Sequence, residues 1–249
     1  MSSEPATGDA ESRRAWRQGL SVALATSAYG VSFGALAVAA GLDVWQTCVL
    51  SLVMFTGGSQ FAFVGVIAAG GLAAAPAAIA SASLLGVRNI AYGMRMSPVL
   101  GTGFWRRAAA AHFTIDESTA VSLAQTTRRA RTLGFWVTGI GIYVGWNLST
   151  LAGALLGDVL GDPRAYGLDA AAAAAFLALL WPRLRHRQPI AVGIAAAVVA
   201  TVLTPALMPG VPVLVAAAVA VLVGWFNWLG LGVEPPDEPG DVAEREGLP

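Results

Sequence analysis

No Asp, Glu, Arg, Lys or His occurs between Asp43 and Arg88, between Arg131 and Asp158, or between Arg187 and Glu234. Each interval is longer than the roughly 20 apolar residues that cross a hydrocarbon core. A soluble helix keeps a polar face towards water, so its charges recur every turn or two. Charge-free runs of this length dictate lipid as the solvent for most of the chain. The fold class is therefore all-α, a polytopic integral membrane helical bundle. A membrane β-barrel needs alternating segments of about ten residues, and these runs do not alternate.

Composition narrows the chemistry. Only 12% of residues are charged and 56% are hydrophobic, against about 25% charged in an ordinary soluble domain. The 15 basic residues, all Arg, equal the 15 acidic ones, which leaves no surplus for a nucleic acid partner. Cys48 is the single cysteine, so neither an intrachain disulfide nor a thiolate metal cluster can form. There is no HExxH helix, no GxSxG elbow and no Walker lysine. No enzyme, cofactor or metal is expected, and an ATP-driven pump would need a nucleotide domain from another chain.

Apolar segments run from about Gly19 to Ala40, Val44 to Ala69, Leu72 to Tyr92, Ala108 to Thr127, Thr132 to Gly157, Leu168 to Leu180, Gln188 to Leu207 and Val211 to Gly230. The expected count is about eight transmembrane helices. Seven is the alternative if the polar Ala108 segment is re-entrant or peripheral. Arg13, Arg14 and Arg17, Arg128, Arg129 and Arg131, and Arg183, Arg185 and Arg187 then lie inside, with both termini cytoplasmic. Arg106 and Arg107 dissent, because eight spans place them outside.

Residues 1–18 read as a cytoplasmic N-terminal tail rather than a signal peptide, since acidic residues precede the basic ones. Residues 19–230 read as the transmembrane domain. Residues 231–249 read as a disordered acidic cytoplasmic tail. A faint echo between Tyr29–Gly34 and Gly145–Thr150 suggests a possible two-half internal repeat.

Four groups of polar residues interrupt the apolar runs. Gly57, Gly58, Ser59 and Gln60 sit inside the second segment. They form either a thinned point where backbone and Gln60 meet a polar solute or a tight helix crossing. Arg88 and Asn89 lie late in the third segment, and an Arg in hydrocarbon needs a carboxylate, water or a path to the headgroups. Arg88 either pairs with Asp116 or Glu117, holds a substrate carboxylate, or ends its span. His112 and Asp116 are four residues apart and so share a face of one continuous helix, and Asp116 with Glu117 could relay protons. Trp146 and Asn147 lie in an uncharged span, where Asn147 either contacts substrate or bonds internally. Glycines at Gly30 and Gly34, Gly141 and Gly145, and Gly153 and Gly157 carry the small-xxx-small packing signature.

Phe55-Thr56-Gly57-Gly58-Ser59-Gln60-Phe61, Arg88-Asn89-Ile90-Ala91-Tyr92-Gly93, His112-Phe113-Thr114-Ile115-Asp116-Glu117 and Tyr143-Val144-Gly145-Trp146-Asn147 occur in that order. In order and spacing, across roughly Trp16 to Trp228, the chain resembles the AzlC family, the large subunit of bacterial branched-chain amino acid exporters. One departure is Asn89, which follows Arg88 where the family pattern has His.

The resemblance implies a multi-pass protein of the bacterial inner (plasma) membrane that partners a small AzlD-type membrane subunit. It implies a secondary transporter, driven by the proton-motive force, that exports Leu, Ile, Val and sometimes Met. The alternatives are an exporter of a different small neutral solute and a non-transporting membrane scaffold subunit.

Overall fold

The structure, a computed structural model, describes residues 4–160, 177, 180, 181, 184 and 187–226. Most of the sixth segment expected from sequence, and all of the 231–249 tail, lie outside the described residues. The helices are α1 (Glu4–Ser27), α2 (Tyr29–Ala39), α3 (Val44–Val53), α4 (Gly57–Gly70), α5 (Ala75–Leu100), α6 (Phe104–His112), α7 (Asp116–Leu123), α8 (Arg128–Leu160), α9 (Arg187–Leu203) and α10 (Val211–Phe226). Helix α1 already begins within the polar N-terminal stretch.

Helices α1 and α2, parted only at Ala28, run parallel to α8 along a glycine seam. Gly19 faces Thr138, Ala23 faces Gly141, Gly30 faces Ser149 and Ala35 faces Gly157. A Cβ on Gly30 would lie 2.8 Å from both the Ser149 Cβ and the Trp146 carbonyl oxygen, and one on Gly34 would strike the Thr150 carbonyl oxygen. With no hydrophobic drive between helices in lipid, such backbone-to-backbone approach is what holds a pair together. The stretches 29–34 and 145–150, which echo one another in sequence, therefore pack against each other across this seam.

The glycine seam defines two ends of the molecule. At the arginine end, Glu11 accepts hydrogen bonds from the Thr126 and Thr127 backbone, and Asp9 pairs with Arg129 at 3.3 Å. At the opposite end, Asp43 caps α3 by accepting from the Gln46 N–H at 2.7 Å. From there α3 runs inward, reaching the level of Thr150 at Ser51 and of Tyr143 at Phe55.

The chain leaves the helix at Met54–Thr56 and α4 turns back. Gly57 lies against Trp146, while Val66 and Ile67 reach the cluster that includes Ala40 and Leu42. At 10 and 14 residues, the two arms are about 15 and 21 Å long, too short to cross a core of about 30 Å. The segment Val44 to Ala69, expected as a crossing, is a hairpin entering from the end opposite the arginines.

A second hairpin enters from the other side. After a reversal at Gly70–Ala74, α5 packs antiparallel on α4, with Ser59 Oγ donating to the Ala82 carbonyl at 2.8 Å. Its 26 residues, about 39 Å, end at the arginine end, where Thr132 Oγ1 donates to the Val99 carbonyl. Helix α5 thus runs on well past Tyr92.

Helix α6 leads inward from the arginine end, the chain breaks at Phe113–Ile115, and α7 returns to place Gln125 beside Gln18. Of the two possibilities open for the Ala108 segment, the structure has the re-entrant one. Arg106 and Arg107 therefore lie at the same end as the other arginine clusters of the described residues, and the charge anomaly disappears.

Among the described residues, three stretches are long and apolar enough to cross a bilayer, Gly8–Ala39, Gly57–Leu100 and Arg128–Val159. In the second of them α5 is the crossing, because the chain reverses at its start. The shorter α9 and α10 pair with each other, and Pro209 and Gly210 between them pack on Gly70, Val66 and Ala77. The expectation of eight spans is thus not met within residues 4–160, where two of the five expected crossings are hairpins.

Candidate functional site

The two hairpin tips meet halfway along the molecule. The Phe55 ring lies 5.8 Å from His112, 6.2 Å from Phe113 and 5.0 Å from Tyr143. Non-helical backbone at this depth is tolerated only where protein buries it or a cavity hydrates it, so each tip must satisfy its own polar groups.

At the first tip Gln60 does this. Its amide nitrogen donates to the Met54 carbonyl at 2.6 Å and the Ser51 carbonyl at 3.3 Å, while its side-chain oxygen accepts from Trp146 Nε1 at 2.8 Å. Both ends of this fully buried amide are engaged within the protein. At the second tip Ser118 Oγ donates to the Phe113 carbonyl at 2.7 Å and accepts from the Ile115 N–H at 3.1 Å, and Thr114 Oγ1 donates to the Ala110 carbonyl. Such local bonds compete with the helical ladder and stop it between His112 and Asp116. The single helical face expected for these two residues does not exist.

Against the tips lies a cavity of about 160 Å³, lined by Thr26, Tyr29, Phe55, Thr56, Gly57, Gly58, Phe61, Arg88, Ile115, Asp116, Glu117, Ile142 and Trp146. Three helix interruptions converge on it: Ala28 between Thr26 and Tyr29, the first tip before Gly57, and the second before Asp116. Its volume is close to the roughly 150 Å³ of a cavity that takes benzene, a size suited to one small solute.

Arg88 sits at the middle of α5, far from either helix end, and its Nη2 is 3.2 Å from Asp116 Oδ2. The two side chains are 29% and 30% exposed, and Arg88 Nε and Asp116 Oδ1 have no hydrogen-bond partner among the described residues. The pair therefore retains bonding capacity. Gly58 lets the guanidinium lie close, since a Cβ there would be 2.9 Å from Arg88 Nη2. The first N–H groups of α4, which lack intrahelical partners, add positive potential beside Arg88. Asp116 and Glu117 begin α7 and supply the negative side.

The cavity thus brings together Gly57, Gly58, Arg88, Asp116, Glu117 and Trp146 from the residues expected on sequence grounds. Ser59, Gln60, Asn89, His112 and Asn147 lie outside its lining. Ser59 ties α4 to α5, His112 packs among aromatic rings, and Asn147 Nδ2 donates to the Tyr143 carbonyl at 2.7 Å. Sequence reasoning did not single out Thr26, Ile142 or the wall residues Phe55, Phe61 and Ile115 as site residues.

No curated protein and no solved structure matches the chain. The family model described as AzlC protein matches residues 21–160. That match takes in more than half of the chain, including both hairpins and every residue of the cavity between them, and the chain belongs to the AzlC family, which is associated with membrane transport.

Proposed function

We propose that this chain is the large subunit of a secondary exporter of branched-chain amino acids, Leu, Ile and Val with Met, working with a small AzlD-type membrane subunit. The observation that carries the reading is a cavity for one small solute whose polar wall holds a guanidinium and two carboxylates, Arg88 with Asp116 and Glu117, the complementary charges that a zwitterion requires. The substrate carboxylate meets Arg88 and the first backbone N–H groups of α4. The ammonium meets Glu117 and Asp116. The aliphatic side chain lies among Phe55, Phe61, Ile115, Ile142 and Trp146.

Apolar walls separate side chains differing by one methylene by only about 1 to 3 kcal/mol, so overlapping use of these amino acids follows. Gln60 acts indirectly, by fixing the first tip to α8. Proton-motive drive is assigned to the same two carboxylates, Asp116 and Glu117. The protein sits in the bacterial inner membrane with the arginine end and both termini cytoplasmic, in keeping with the positive-inside bias.

The test is efflux of labelled Leu, Ile, Val and Met from cells loaded with the corresponding dipeptides, with this chain expressed alone and with its small partner. Faster efflux in the paired cells is expected. No efflux in either, with both chains verified in the membrane, would falsify the substrate assignment.

A second reading, a non-transporting scaffold, draws on the internal bonds of Ser59, Gln60 and Asn147. It predicts that in the matched Arg88→Gln/Asp116→Asn pair any loss of flux follows a loss of abundance, whereas the carrier reading predicts lost flux at preserved abundance.

A further inference from the structure

A second cavity, about 560 Å³, lies along the same two helices as the first. On α4 the residues facing the first cavity are Gly57, Gly58 and Phe61, and those facing the second are Phe61, Ala62, Gly65, Val66 and Ala69. On antiparallel α5 the order reverses, with Arg88 on the first cavity and Leu85, Leu84 and Ser81 on the second. The two spaces are therefore stacked end to end along the α4–α5 pair, and Phe61 lines both.

Phe61 is buried, with its ring edge-on to Phe33 at 5.7 Å and to Trp146 at 6.3 Å. It stands on the side of the first cavity away from Asp116, towards the turn at Pro209 and Gly210. The second cavity is walled mainly by aliphatic residues and has no charged group among the described residues that line it, so it suits the far end of a long or aromatic side chain and not a zwitterion's head.

We infer that Phe61 sets the upper size limit on the substrate side chain by closing the charged cavity off from a larger apolar one behind it. This rests on the amino acid carrier reading. With Phe61 in place, a side chain of the size of Leu ends against its ring. With the ring removed, the same head-group anchors serve a side chain that reaches on between Gly65 and Leu85, and neutral aromatic amino acids become substrates.

The experiment measures efflux of labelled Leu, Val, Phe and Trp from dipeptide-loaded cells expressing both subunits, for the wild type and for Phe61→Ala, Phe61→Leu and Phe61→Trp, with membrane abundance of each variant measured alongside. The expected result is a rise of tenfold or more in the ratio of Phe to Leu efflux for Phe61→Ala. A smaller rise is expected for Phe61→Leu, and a fall in the ratio of Leu to Val for Phe61→Trp.

Misfolding lowers all four fluxes together and does not create a new substrate. If Phe61→Ala does not reach the membrane, the Leu and Trp replacements decide the matter through the same ratios. Unchanged ratios in variants that still export Leu overturn the role of Phe61. Absence of Leu and Val efflux from the wild type instead overturns the carrier reading on which it rests.

Discussion

Trp146 on α8 donates its indole N–H to the Gln60 side-chain oxygen at 2.8 Å, and the Gln60 amide in turn holds the Met54 carbonyl at 2.6 Å. One side chain thus closes the first hairpin tip and fastens it to α8. Replacing Gln60 by Leu leaves the buried Trp146 indole N–H unpaired, at about 1–3 kcal/mol, and strips the Met54 carbonyl of one of its two donors, the other being the Thr56 N–H. Gln60→Leu should lower the melting temperature of the detergent-extracted protein, and Trp146→Phe should do so less. Combining them should cost less than the sum. Strict additivity of the two would show that the bond contributes nothing.

Arg88 and Asp116 should behave as a charge pair whose halves fail separately. Breaking a buried pair costs about 3–5 kcal/mol, and water reaching these partly exposed side chains brings the figure towards or below the lower end. Arg88→Gln and Asp116→Asn alone should each reduce abundance in the membrane. The double variant should recover abundance while remaining inactive in efflux. Recovery of transport by the uncharged pair would remove Arg88 from substrate binding.

The hairpin at α6–α7 can be tested by the side from which its flanks are reached. Thr102, ahead of α6, and Thr127, ahead of α8, should be labelled from the same face when each is changed to Cys in a Cys48→Ala background. An impermeant maleimide applied to right-side-out and inverted vesicles reads this directly. Labelling from opposite faces would restore the crossing that an eight-span count requires.

Glycines of the α2–α8 seam should be far less replaceable than a glycine in open space. Gly34→Ala drives a Cβ into the Thr150 carbonyl, whereas nothing lies within 4 Å of a Cβ at Gly93. Gly93→Ala should hold or raise thermal stability, by up to about 1 kcal/mol from helix propensity, and Gly34→Ala should lower it by more than that. Thermal unfolding of the purified protein separates the two.

The glycine seam was legible in the sequence because packing of that kind is written in the spacing of small residues. Membrane residence was legible because charge-free intervals leave no other solvent. The hairpins were not. Hydropathy reports how apolar a segment is and not whether it turns back, so the run from Val44 to Ala69 read as a crossing. What turns it back is a set of side-chain bonds, one local from Gln60 to Met54 and two long-range, from Gln60 to Trp146 and from Ser59 to Ala82.

Arg106 and Arg107 held the missing clue. Their conflict with the positive-inside pattern was the mark of a segment wrongly carried across. Likewise the four-residue spacing of His112 and Asp116 assumed a helix that Ser118 interrupts. The wall residues Phe55, Phe61, Ile115 and Ile142 could not be told apart from lipid-facing residues of the same type without the fold.

The meeting of the tips at Phe55 and Phe113 also reshapes the electric field. In a continuous bundle the membrane voltage falls over the full hydrocarbon thickness of about 30 Å. Where water follows each hairpin inward from its own face, the insulating layer thins to the few residues around the tips. The same potential, about 2.3 kcal/mol per elementary charge per 100 mV, then drops over a small fraction of that distance. A charge carried past that layer would sense nearly the whole voltage while moving only a few ångströms.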